Sequence, residues 1–128
     1  MIYTTYFANL RKLPNNIIPI AICRGVPKWF HGLVYSKLAP SWDTVLAWKE
    51  NKNETVYRKE YNKTLESLDA DKVVKDLFDL AGTYTIALVC YEKPTDFCHR
   101  HLVAEWLNKN DYLCKEWKAD TGKESMNV

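Results

Sequence analysis

Apolar and polar positions fall into blocks with two different periods along this chain. Residues 2–7, IYTTYF, are rich in β-branched and aromatic side chains and predict a first strand. Residues 8–13 supply one or two helical turns, stopped by Pro14 and the turn-forming pair Asn15-Asn16. Residues 17–23, IIPIAIC, form a continuous apolar run, the pattern of a strand buried on both faces. Pro19 inside that run removes a ladder donor and points to an edge or bulge position. Residues 24–40, with two Gly and two Pro, read as an irregular segment packed on the sheet.

Helical spacing takes over next. Residues 42–50 predict a helix, and a longer one follows with Tyr57, Tyr61, Leu65 and Leu68 recurring every three or four positions. Asp69 or Asp71 is placed to cap a further helix whose Val73, Val74, Leu77 and Phe78 form an apolar stripe, with Gly82 ending it. Residues 85–91, TIALVCY, are the clearest buried strand. A short polar loop, residues 92–96, leads into Phe97-Cys98-His99-Arg100-His101, after which Leu102, Val103, Trp106 and Leu107 mark an amphipathic helix. Asn110-Asp111 turns the chain into a last short strand within residues 112–117. Strands alternating with helices predict an α/β fold, a three-layer sandwich with a small, mainly parallel, Rossmann-like sheet and right-handed crossovers. Residues 1–117 are expected to form a single domain and residues 118–128 a polar flexible tail.

Composition narrows the function classes. With 128 residues there is room for one domain with its own core. Lys plus Arg is 18 and Asp plus Glu 16, a net charge of +2, which disfavours a protein held on nucleic acid by bulk charge. No apolar run approaches the ~18–20 residues of a membrane span, and no cationic segment leads into an apolar leader. The four cysteines, Cys23, Cys90, Cys98 and Cys114, form no CxxC pair and are read as reduced thiols, which with the missing leader predicts a cytoplasmic location. Most of the aromatic residues read as core; Trp29-Phe30, beside Lys28, is read instead as a wall of the site.

In an open α/β sheet ligands bind beyond the carboxyl ends of the strands. Three segments are expected to converge there. The first carries Tyr6 and Asn9, the second Arg24, Lys28, Trp29 and His31, the third Glu92 and the run Cys98-His99-Arg100-His101. The third segment opens a helix, whose first amides and dipole attract anions, and Arg100 adds a planar fork, with Arg24 as a second clamp. Two Arg, a helix start and Trp29 suit a phosphorylated nucleoside. Glu92 directly follows a buried strand, where it serves either as general acid/base and ribose partner or as a salt-bridge partner of Arg24 or Arg100.

Cys98 is the candidate nucleophile, because a thiol at a helix start beside cationic groups is lowered in pKa. The Cys-x5-Arg loop of cysteine phosphatases is missing, however, and a packed or locally hydrogen-bonded thiol is the competing reading. His99 and His101 point in different directions on a helix, so one at most faces the pocket. Cys98, one His and Cys90 match no standard zinc spacing, and neither metal nor cofactor is expected.

The string Cys90-Tyr91-Glu92-Lys93-Pro94, followed by Cys98-His99-Arg100-His101, resembles the uncharacterised YeaO-like domain-of-unknown-function family of bacteria and phages. The opening Tyr3-Thr4-Thr5-Tyr6-Phe7, Arg24 and Lys28-Trp29-Phe30 are similar to it as well, so the likeness spans about residues 3–117. The resemblance implies an α/β sandwich with Arg24, Glu92, Cys98, His99 and Arg100 at one site. It brings no established reaction.

The expected function is binding of a small anionic, nucleotide-derived ligand at the carboxyl edge of the sheet, with processing of that nucleoside or nucleotide. The alternatives are a phage-type protein that sequesters a nucleotide signal without turnover, and a nucleic-acid or protein interaction module on the aromatic surface between Trp29 and Trp48. No membrane partner is expected, and a homo-oligomer is left open.

Overall fold

The structure, a computed structural model, describes residues 1–92 and 97–119. The elements run β1 (Ile2–Tyr6), a 3-10 helix (Phe7–Lys12), β2 (Ile18–Ala21), β3 (Leu33–Val34) and a 3-10 turn (Ser36–Leu38). They continue α1 (Trp42–Asn51), α2 (Glu54–Glu66), α3 (Ala70–Ala81), β4 (Ile86–Cys90), α4 (His99–Lys109) and β5 (Cys114–Glu116). All five strands are parallel, in the order β3-β2-β4-β1-β5. This is the expected α/β sandwich with a Rossmann-like sheet.

Local chemistry sets the helix boundaries. The Ser41 hydroxyl accepts from Thr44 N at 3.1 Å, and the Asn53 side chain accepts from Val56 N at 3.1 Å. The Asp69 carboxylate accepts from both Asp71 N and Lys72 N, so of the two candidate caps the chain uses Asp69. Each cap satisfies amides that a first helical turn leaves without partners. Gly82 closes α3 with φ at 72°, donating its N–H to Phe78 O. That left-handed conformation favours glycine.

Alternate residues of β2 enter two different clusters. Ile18, Ile20 and Ile22 join a large core with Ile86 and Leu88 of β4, Tyr61 and Leu65 of α2, Val73 and Leu77 of α3, and Leu102 and Leu107 of α4. Ala21 and Cys23 join a smaller one with Phe7, Phe30 and Val89, against which Leu10 packs. The period of two puts these sets on opposite faces of the sheet. One face is therefore covered by α2, α3 and α4, and the other by a thinner layer from the 3-10 helix and the loop around Phe30.

Pro19 is accommodated without a bulge. Ile18 N and Ile22 N donate to Thr85 O and Val89 O, so this parity faces β4 and the Pro19 nitrogen faces the opposite side. There β3 pairs only with Ile20 and Ala21, and no ladder donor is missed. β3 itself is a two-residue edge strand inside the segment expected to be irregular. Its signal is too short to show a period. Residues 120–128, most of the expected tail, and the loop residues 93–96 lie outside the described residues. No helix among the described residues is long and apolar enough to cross a membrane.

Candidate functional site

A cavity of about 330 Å³ opens at the carboxyl ends of β2 and β4, beneath α1 and α2 and beside the start of α4. Its rings come from Trp42 and Trp48 of α1, Tyr57 of α2 and Phe97. Trp48, Tyr57 and Phe97 form a mutually packed triangle, with centroid separations of 4.9 Å for Trp48–Phe97, 5.0 Å for Tyr57–Phe97 and 5.7 Å for Trp48–Tyr57. Fixed rings of this kind give a planar ligand a preformed stacking wall.

Polar groups enter from both strand ends. Arg24, just beyond β2, is held by an Nε–H bond to Pro40 O at 2.6 Å. Among the described residues it has no acidic partner. Lys49 of α1 adds a second cation. Glu92, two residues past β4, is exposed and lines the same cavity. Neither anticipated salt bridge from its carboxylate, to Arg24 or to Arg100, is present. Its negative charge is felt nearby: together with the larger effect of burial it raises the pKa of Tyr57, and burial pushes the Cys23 thiol up to about 11. Cys23 is thereby a neutral thiol donating to Gly25 O at 2.9 Å.

Cys90 and Cys98 depart from the expectation of four reduced thiols. They are joined in a disulfide with S–S 2.13 Å, whereas Cys23 and Cys114 are free and buried. The end of β4 and the N-cap of α4 meet at this point, a meeting that a separation of eight residues does not reveal. As a disulfide, Cys98 offers no thiolate for the nucleophilic role considered for it.

His99 lines the cavity but is itself buried, with Nε2 at 2.6 Å from Ile22 O. A carbonyl only accepts, so Nε2 carries the proton and Nδ1 the lone pair. Nδ1 lies 3.9 Å from Cys98 Sγ. Burial holds the His99 pKa down to about 4, so the ring is neutral at ordinary pH.

Arg100 corrects the expected anion clamp. Its side chain is completely buried, with Nε and Nη2 donating to the two Glu116 oxygens at 3.0 Å each. Nη1 contacts Cys90 Sγ at 3.2 Å and donates to the backbone carbonyl of Glu92, and the guanidinium lies 5.6 Å from the centre of the Tyr6 ring. The fork is filled by the protein's own carboxylate. The signal that could have shown this is Glu116, an acidic residue on the half-buried side of the final strand, two positions after the buried Cys114.

The first predicted segment does not reach the cavity. β1 lies beyond β4 from β2, so Tyr6 packs under Arg100, and the Asn9 amide donates to Thr5 Oγ1 at 3.4 Å. Lys28 and His31 are exposed, and neither they nor His101 lines the cavity. Trp29, 58% exposed, packs edge-on to Phe7 with centroids 6.0 Å apart and borders a different groove with Ala8, Leu10 and Arg11. Of the expected ligand-binding residues, the structure brings together Arg24, Glu92, Cys98 and His99. It adds Trp42, Trp48 and Tyr57, expected in the core or on an outer aromatic surface, together with Lys49 and Phe97, which were not expected at the site. Trp42, Val45 and Trp48 recur every three positions on α1, with Lys49 four after Val45, on a helix that buries none of its residues fully. That stripe without a core to serve is the signal that was available.

Neither the curated proteins nor the solved structures contain a match to this chain. A family model described as the active DUF488-N3 subclade matches residues 11–111, which includes the carboxyl ends of β2 and β4, all of α1–α4 and every residue lining the cavity. The chain belongs to that subclade of a domain of unknown function.

Proposed function

We propose that the cavity binds a small anionic, nucleotide-derived ligand and that Glu92 acts on it as general acid/base. The observation that carries this reading is the combination, in one cavity of about 330 Å³, of a rigid aromatic wall, two cations from Arg24 and Lys49, and the exposed Glu92 carboxylate. A base or other planar ring would stack on the Trp48, Tyr57 and Phe97 triangle, leaving its anionic group toward Arg24 and Lys49. Glu92 would lie beside the sugar, where a carboxylate accepts a hydroxyl proton or exchanges one with a leaving group. The position beyond the carboxyl ends of adjacent parallel strands is where open α/β sheets bind ligands. The description of the matched subclade as active fits an enzyme and names no substrate. The same reading draws the ligand from a cytoplasmic nucleotide pool, where the Cys90–Cys98 pair would be kept reduced, with a small molecule rather than a polynucleotide as the partner.

The test is calorimetry with a panel of nucleosides, nucleotides and nucleotide-sugars, followed by mass spectrometry of the mixtures. Wild type is expected to bind one class and convert it. Glu92→Gln should keep that binding and lose turnover by ~10²–10⁴-fold, as removal of general acid/base catalysis does. If wild type returns its ligand unchanged, the protein is a sequestering one; if it binds nothing in the panel, the ligand assignment fails.

A further inference from the structure

We propose that, once the Cys90–Cys98 bridge is reduced, Cys90, Cys98 and His99 bind a thiophilic divalent cation such as zinc, with a fourth coordination position open to the cavity. This goes beyond the nucleotide reading and does not depend on it. One potential ligand atom from each of the three residues lies within 4.8 Å of the others, and all three residues are buried. Around a tetrahedral zinc ion, with bonds of ~2.3 Å to sulfur and ~2.0–2.1 Å to nitrogen, ligand atoms are roughly 3.5–4 Å apart.

The histidine is already set for coordination. Its Nε2–H is committed to Ile22 O at 2.6 Å, which leaves the Nδ1 lone pair, 3.9 Å from Cys98 Sγ, as the ligand. A backbone carbonyl that fixes the tautomer and the ring plane is the usual outer partner of a metal-bound histidine. The carriers are firm: Cys90 ends the central strand β4, and Cys98 and His99 are the N-cap and first residue of α4. Charge also balances, since two thiolates match a dication while the neighbouring Arg100 is neutralised by Glu116.

Three protein ligands with an open fourth position is the count found in catalytic rather than structural zinc sites. All three residues line the cavity, so that position would face solvent or ligand. The absence of a standard zinc spacing is no obstacle, because the sulfurs come from a strand end and a helix start rather than from one finger-like loop. The redox balance is simple. A dithiol or phosphine reductant supplies two electrons, the S–S bond breaks, and two protons complete the thiols. The cation then displaces those protons to solvent.

The test uses the full chain, reduced with a phosphine, freed of reductant without air, and titrated with Co²⁺. Thiolate-to-cobalt charge-transfer absorption saturating at one equivalent, and displaced by one equivalent of Zn²⁺, is the expected result, with none from the disulfide form. Cys90→Ser and Cys98→Ser should each weaken binding by at least ~10–100-fold, the loss already typical of removing an outer-shell partner. Cys114→Ser, whose thiol belongs to the core near β5, should leave it unchanged. Absence of the band in reduced wild type overturns the proposal whether or not the variants fold. So does a band that survives in the Cys90→Ser/Cys98→Ser double variant.

Discussion

Arg100 meets Glu116 fork to fork, its Nε and Nη2 each 3.0 Å from one carboxylate oxygen, across the helix–strand contact between α4 and β5. Thr4 Oγ1 donates to the same carboxylate at 2.6 Å, tying β1 into the group. Glu116→Gln would leave a completely buried guanidinium without its counter-charge. Breaking a buried pair from one side typically costs ~3–5 kcal/mol. Urea unfolding should show a loss of that size, and a loss under ~1 kcal/mol, as for an exposed pair, would mean that the ion pair is not closed in solution.

Arg24 makes the opposite case, since its side chain is exposed and, among the described residues, its hydrogen-bond partner is Pro40 O. Arg24→Ala should leave the unfolding midpoint nearly unchanged. It should weaken binding of an anionic ligand by ~1.5–3 kcal/mol, the worth of a charge-assisted hydrogen bond. Calorimetry on the two proteins checks this, and the effect should be absent for an uncharged nucleoside.

Acid should destabilise the fold partly through His99. Its pKa is held at about 4 in the folded protein against 6.5 when unfolded. The unfolded chain therefore binds the extra proton first, and stability present above pH 6.5 is lost as the pH falls toward 4. A displacement of this kind corresponds to on the order of 3 kcal/mol. His99→Gln keeps a donor for Ile22 O and removes the titration, so its stability should fall less steeply over that window. Equal slopes for the two proteins would show that the ring is not buried neutral.

Gly82→Ala isolates a backbone effect. A Cβ there meets no atom within 4 Å, yet φ is 72°. The cost should be ~1–2 kcal/mol, that of placing an L side chain in the left-handed region. Thermal unfolding measures it, and a gain in stability would mean that α3 ends elsewhere.

Much of the architecture was legible because its signals are local. Periodicity located α2 and α3, a run of apolar residues located β4, and the Asp69/Asp71 pair and Gly82 marked to within two residues where α3 begins and ends. The site was less legible, because it depends on strand order. Tyr6 and Asn9 follow a strand just as Arg24 does, but β4 lies between β1 and β2 and keeps them out of the cavity. Arg100 has the spacing of an anion clamp and the burial of a structural ion pair, and only Glu116, 16 residues on, decides between them. Cys90 and Cys98 are read as separate thiols until a strand end and a helix start are placed side by side.

The sheet order also constrains how the chain assembles. Both neighbours of β1 are remote: β4 contributes residues 86–90 and β5 residues 114–116. Elongating from its amino end, the polypeptide must carry residues 2–6 unpaired until the later segments have been made, while β2 too waits for β4. The helices of the middle third can begin to form earlier, since a helix closes its backbone hydrogen bonds within four residues. Insertion of residues 86–90 between two waiting strands would then be the late, slow event of folding, as expected when long loops must close before pairing can compensate them. Until then the exposed strand edges are the part of the nascent protein most prone to self-association.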